Sequence, residues 1–212
     1  MDQLTEQTRL LPDLVLVQHI LSGQKNFFEI IMRRYNQRLY RAGMSILGDE
    51  AETEEAMQSA YIKAYEHLAS FENRSSLATW LTRIMLNECF GRKKSRRLLP
   101  VDATKPPENN ISLSTPMDQL MNKELSATLE AAIARLPEQY RTVFMLREIE
   151  ELSIRETGEV LDITEANVKV RLNRAKTMLR SELKGYIKGH VYPFHLTRCN
   201  RIIAAVMEKI NG

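Results

Sequence analysis

The chain has 212 residues, is 43% hydrophobic and 27% charged, and carries a formal net charge of +3. These proportions are those of a soluble globular protein of one or two small domains. They exclude a membrane-spanning protein, because no apolar run approaches the roughly 20 residues a bilayer-crossing helix needs. The two cysteines, Cys89 and Cys199, are far apart and have no CxxC partner, which argues against a structural zinc site and for reduced thiols. The start, MDQLTEQTRLLPD, contains acidic residues and lacks a basic-then-apolar signal pattern, so a cytoplasmic location is expected.

Helical periodicity dominates from the beginning, and the expected fold is all-α. A first short helix lies within Pro12 to Gly23, with Leu14, Val15, Val17, Ile20 and Leu21 as its apolar residues. The second, Asn26 to Leu47, carries Phe27, Ile30, Ile31, Tyr35, Leu39, Ala42, Met44 and Ile46 at near-helical spacing and stops at Gly48-Asp49. A third, Glu50 to Ala69, has Ala56, Met57, Ala60, Tyr61, Ala64 and Leu68 inward. After the loop Phe71 to Ser75, Ser76 is placed to cap a fourth helix that runs to about Arg97 through Trp80, Leu81, Ile84, Met85 and Cys89.

The composition then changes. LPVDATKPPENNISLSTP is rich in proline, asparagine and serine, so residues 99–117 read as a flexible linker, at a length unusual inside a compact domain. Beyond it, Met117 to Arg135 is helical, Leu136-Pro137 breaks the chain, and Glu138 to Arg147 forms another helix with Tyr140, Val143, Phe144 and Leu146 inward. Ser153 to Leu161, the turn Asp162-Ile163-Thr164 and a helix from Glu165 to about Leu183 then read as a helix-turn-helix, with Thr164 as N-cap. Its interior is assigned to Ile154, Val160, Leu161, Ile163, Val168, Val170, Leu172 and Leu179. Lys169, Arg171, Arg174, Lys176 and Arg180 make the second helix basic, which suits entry into a DNA major groove. The expected organisation is therefore two helical domains, 10–98 and 118–184, a linker between them, and a C-terminal extension over 185–212. That extension has its own apolar pattern: Phe194, Leu196, Ile202, Ile203, Val206 and Ile210.

Four blocks carry a family resemblance. Asp49 to Tyr65 (DEAETEEAMQSAYIKAY) resembles the acidic helix of bacterial sigma factors, and Phe71 to Asn87 (FENRSSLATWLTRIMLN) resembles their promoter-melting segment. Leu136 to Arg147 and Asn167 to Ala175 resemble the family's second domain. Together they make the chain similar to the extracytoplasmic-function subgroup of the sigma-70 family over about residues 12–183. The resemblance implies a non-catalytic promoter-recognition subunit of RNA polymerase, a region 2 domain at 10–98 and a region 4 domain at 118–184. It also implies as partners the core enzyme (clamp helices of the largest subunit and the beta flap), promoter DNA and an anti-sigma factor.

Site assignments follow from the same resemblance. Core-polymerase docking falls on Glu50, Glu52, Glu54, Glu55 and Gln58, whose carboxylates and amide suit a basic partner. Read without the family, an acidic first turn is simply good helix chemistry. Contacts to the −10 element fall on Asn73, Arg74, Ser75 and Ser76, the loop that takes a flipped-out base. They continue on the solvent-facing stripe Arg83, Asn87, Arg92, Lys93, Lys94, Arg96 and Arg97, which can neutralise phosphates. Contacts to the −35 element fall on Thr164, Glu165, Ala166, Asn167, Lys169, Val170, Arg171 and Arg174, and which of these touch bases is left open. Trp80 reads as a packing residue more readily than a base-stacking one.

His195 and Cys199, at i and i+4, fall short of a zinc site. No P-loop, paired carboxylate or nucleophile–base pair occurs, so no enzyme, cofactor or small-molecule substrate is expected. The competing function is a stand-alone helix-turn-helix regulator. It would be dimeric and would leave the acidic helix and the melting segment without a task.

Overall fold

A computed structural model describes residues 10–98 and 117–190, and every regular element there is helical. The expected linker at 99–116 and the tail from 191 onward, with Phe194, His195 and Cys199, lie outside the described residues. Met117 is the first residue of a helix, where the sequence reading starts one.

Helix α1 (Asp13–Leu21) starts after Pro12, whose carbonyl accepts the amides of Val15 and Leu16. It buries Leu16, Val17 and Ile20. The Asp13 carboxylate accepts the Tyr35 hydroxyl at 2.5 Å and pairs with Arg34, which ties α1 to α2 (Phe27–Leu47). Helix α2 ends at Gly48, whose φ of +67° is the left-handed conformation a glycine cap supplies without strain. Asp49 then caps α3 (Glu50–Glu66), its side chain accepting the Glu52 amide at 2.8 Å. A single 3-10 turn, Leu68–Ser70, leads toward α4 (Leu77–Leu98), where Ser76 Oγ accepts the Thr79 amide as expected. Helices α2, α3 and α4 pack together around Ile31, Leu39, Ile46, Ala56, Leu81, Met85 and Leu86. At Gly43 the helices approach so closely that a Cβ would lie 2.4 Å from Met85 Cε and 2.8 Å from Thr53 Cγ2.

The second half begins with α5 (Met117–Ala134), broken at Leu136-Pro137, and α6 (Glu138–Phe144). Helix α6 is shorter than the sequence suggests. From Met145 to Ile149 the backbone widens into a π turn, closed by the Glu150 amide on the Met145 carbonyl at 2.9 Å. Glu151 follows with φ +57°, an uncommon conformation for a residue with a Cβ, and sends Leu152 back into the interior. Helix α7 (Ile154–Leu161) carries a full capping box, in which Ser153 and Glu156 satisfy each other's backbone amides. Asp162 (φ +52°) ends α7, and α8 (Glu165–His190) follows, running past the expected end at Leu183. Gly158 is required in this turn, because a Cβ there would sit 2.8 Å from the Ile163 carbonyl oxygen.

The two halves lie against each other. Leu146, Leu152 and Val160 belong to the same buried apolar cluster as the N-terminal helices, with Leu161 packed on it. A second, smaller cluster of Ala132, Leu136, Ala175 and Leu179 sits between α5 and α8.

Candidate nucleic-acid interface

Three surfaces carry the assigned residues. On α3, Glu50, Glu54, Glu55 and Gln58 are exposed and Glu52 is half-buried. The carboxylates are not equivalent. Glu55 accepts from Arg92 at 3.0 Å and Glu52 from Arg96 at 2.8 Å. Glu50 engages Tyr40, whose hydroxyl pKa rises through burial and then through the Glu50 charge. Among the described residues Glu54 and Gln58 make no ion pair, and Ile62, one turn beyond Gln58, is 59% exposed. Residues 54, 58 and 62 share one helix face, so they form an acidic, amide and apolar stripe pointing away from the core. The sequence reading missed Ile62, because a lone apolar residue within helical periodicity looks like core.

On α4, Arg83, Asn87 and Lys94 are exposed as expected. Arg92 and Lys93 are half-buried, which corrects the expectation that the whole basic run faces solvent. Arg92 turns back onto Glu55, Glu88 and Ser59, and Lys93 pairs with Glu138 of α6. The helix end from Arg97 is described only in its backbone. Phe90, unassigned from sequence, is 38% exposed on the same side as Arg83, Asn87 and Lys94. In the preceding loop Asn73, Arg74 and Ser76 are exposed and Ser75 half-buried, with Asn73 at φ +55°. Trp80 is half-buried and packs on Phe71 with ring centroids 5.4 Å apart, so it supports the loop from beneath.

On α8, Thr164 Oγ1 accepts the Asn167 amide at 3.3 Å, as expected of an N-cap. Glu165, Ala166, Asn167, Lys169 and Val170 are exposed, Arg171 is half-buried, and Arg174 is exposed with its guanidinium on the Tyr140 hydroxyl at 3.0 Å. Val170, read from sequence both as interior and as a −35 contact, is 50% exposed, while Val168 is fully buried. Two residues apart on a helix face nearly opposite sides, so both could not be core. The outward stripe is Ala166, Lys169, Val170 and Asn173. It offers a charge, an amide and an apolar patch suited to a thymine methyl.

Between α5 and α8 lies an open groove of about 560 Å³ with Leu129, Phe144, Leu179 and Leu183 in its wall and Arg180, Lys184 and Lys176, the last paired with Glu148 at 2.9 Å, at its rim. Cys89 is buried in the α2–α4 core. Burial, then the Glu88 charge, pushes its thiol up to about 12, so it stays protonated and unreactive. Among the described residues no group of three or more histidine, cysteine and carboxylate side chains could hold a metal ion, and no helix is long and apolar enough to cross a membrane.

A helical platform with an exposed acidic, amide and apolar stripe, joined to a helix-turn-helix, has the architecture of a DNA-binding protein. Residues 31–98 match the family model described as Sigma-70 region 2, and residues 126–179 match that described as Sigma-70, region 4. The ECF RNA polymerase sigma factor SigW of Bacillus subtilis is 32% identical over 177 residues, covering 79% of this chain and 95% of that protein. The ECF RNA polymerase sigma-E factor of Escherichia coli is 26% identical over 193 residues, covering 84% and 97%. The sigma factor RpoE of Bartonella quintana, solved with the anti-sigma factor NepR, has a TM-score of 0.61 at 22% identity and covers 74% of this chain and 96% of that one. CnrH, solved with the cytosolic domain of CnrY, has a TM-score of 0.57 at 23% identity and covers 82% and 97%. The chain belongs to the sigma-70 family, in its extracytoplasmic-function group.

Proposed function

We propose that this chain is the dissociable specificity subunit of a bacterial RNA polymerase, working in the cytoplasm: it binds the core enzyme, brings it to −35 and −10 promoter elements and promotes opening. The observation that carries this reading is the presence in one chain of an exposed N-terminus on the second helix of the helix-turn-helix and a separate exposed stripe of Glu54, Gln58 and Ile62 on α3. A stand-alone regulator has no use for the second. Glu54, Gln58 and Ile62 are assigned to the core enzyme, with Glu50, Glu52 and Glu55 setting the helix and its field. The apolar groove with its basic rim gives the second domain a place for an apolar helix of the polymerase, such as the beta flap. Because a neighbour of this fold was solved with an anti-sigma factor, an anti-sigma partner is part of the reading.

At the promoter, Lys169, Val170 and Arg174 are assigned to the −35 duplex, with Thr164, Glu165, Ala166, Asn167 and Arg171 around them. Asn73 to Ser76 take the flipped base of the −10 element, and Arg83, Asn87, Lys94 and Arg97 hold its upstream phosphates, joined by Arg92, Lys93 and Arg96 where these three exchange their carboxylate partners for phosphate. Opening needs no hydrolysis by this subunit. Binding only the unpaired strand shifts the duplex equilibrium toward the melted state. The test is run-off transcription with purified core polymerase on a promoter library. Start sites that appear only with the chain present support the reading. Tight sequence-specific duplex binding by a dimer of the free chain, with no new start sites, would replace it with the regulator.

A further inference from the structure

We propose that the groove between α5 and α8 is the seat of the chain's own C-terminal segment, residues 194–210, which covers it until an apolar helix of the polymerase takes its place. Only that exchange rests on the sigma-factor reading; the seat rests on the groove and on the sequence that follows it. Leu129 is 38% exposed, Phe144 and Leu183 are half-buried, and Leu179 is buried beside them. An apolar wall on a concave surface is what the apolar face of a helix covers. Helix α8 supplies Leu179 and Leu183 and ends at His190, so the chain leaves the groove's own wall and continues through residues 191–212.

That continuation has the composition of an occupant. Tyr192-Pro193 opposes straight extension of α8, because proline has no amide to donate and biases the residue before it away from helical backbone. Ile202, Ile203, Val206 and Ile210 recur at the spacing of one helix face, and Arg201 and Glu208 fall on the opposite one. Reach is sufficient. Leu183 precedes the end of α8 by about 10 Å at 1.5 Å per residue. The residues between His190 and Ile202 span up to about 35 Å, so the stripe can return to the groove with slack. Being tethered, it is presented at an effective concentration on the order of millimolar, and a weak fit suffices to fill the groove. The same weakness lets another helix displace it.

Charge separates this occupant from others. Arg180 and Lys184 stand exposed on the rim, and Arg198, Arg201 and Lys209 outnumber Glu208 in the segment. Two basic surfaces repel, so apolar contact has to hold the seat, and added salt strengthens it by screening. An acidic protein or a nucleic acid on the same rim would be weakened by salt.

A thiol on the groove wall tests the seat. In the full chain carrying Cys199→Ser, Leu129→Cys places one accessible thiol there, since Cys89 is buried. Expected is that maleimide modifies it on the order of tenfold more slowly than in the same chain with Ile203→Glu and Val206→Glu added, and more slowly still as salt is raised. A benzophenone attached through that thiol should cross-link within the monomer to residues 194–210, as read by mass mapping. Equal modification of the two chains, faster modification in salt, or cross-links only to other segments or to a second copy overturns the seat. Core polymerase then tests the exchange. In the co-eluting complex the cross-link to 194–210 should fall by at least about fivefold, and an unchanged yield overturns displacement. If the chain neither co-elutes with core nor adds start sites, the sigma-factor reading falls, while the measurements on the free chain still decide the seat.

Discussion

The N-terminal and C-terminal halves solve the same problem, burying one face of each helix, in different ways. In the N-terminal half Leu16, Ile31, Leu39, Ile46, Leu81, Met85 and Leu86 are all sealed within its own helices. The C-terminal half keeps a private cluster of only Ala132, Leu136, Ala175 and Leu179, and it sends Leu146, Leu152 and Val160 into its neighbour's cluster. The first half is thus a self-sufficient platform. The second is a reader whose apolar surface is partly covered by that platform and partly open as the α5–α8 groove. A unit built this way gains from having its faces covered, by the platform or by another protein. Burial is thereby coupled to partner choice.

The largest effects should separate the two halves by core substitution. Leu86→Ala removes a side chain with no exposure, in a site that cannot collapse, and should cost about 4 kcal/mol in urea denaturation. Leu179→Ala, at the wall of the open groove, should cost about 2 kcal/mol, because solvent and neighbours can fill the space. Equal costs would break the distinction. Next comes Glu150→Ala, which frees Arg38 and Arg41, 27% and 44% exposed, to turn to water, and should cost about 1–2 kcal/mol. Because it loosens the contact between the halves, unfolding should split into two transitions by fluorescence and circular dichroism; a single coincident transition would mean the halves remain one cooperative unit. Smaller still is Arg174→Ala. If Arg174 holds a −35 phosphate, the log–log salt dependence of binding to a −35 duplex by the polymerase complex should lose about 0.9 of slope with the melting curve unmoved.

Much of this was legible along the chain because caps and periodicity are local. Ser76, Thr164 and Gly48 each end or begin a helix where their chemistry says they should. What failed to show was decided by partners distant in sequence. Arg38 and Glu150 are 112 residues apart, and no pattern in either segment announces their meeting. The π turn at Met145–Ile149, read from sequence as ordinary helix, belongs with that contact, since it leads the chain into Glu150. Among the assigned residues, Asn73, Arg74 and Ser76 and the N-terminus of α8 are exposed. Ile62, Phe90 and Asn173 were missed because a single exposed residue has no period. The basic run misled for an electrostatic reason: Arg92 and Arg96 find carboxylates on α3, which the linear sequence lists as a separate acidic surface.

The smallest effect belongs to a residue that serves both halves. Glu156 closes the α7 capping box and accepts from Thr79 of α4, and its carboxyl is held below the usual range, first by the Ser153 amide, then by the Ser153 and Thr79 hydroxyls. A carboxyl whose pKa falls on folding adds stability above its unfolded value, and that contribution disappears as pH drops through the folded one. The melting temperature of the wild type should therefore exceed that of Glu156→Gln by a constant margin from pH 6 to 8, with the two converging as pH falls below the ordinary carboxylate range. Glutamine keeps the capping geometry, so the margin isolates the charge. A margin that persists unchanged into acid would mean that the hydrogen bonds, and not the ionised carboxylate, join α7 to α4.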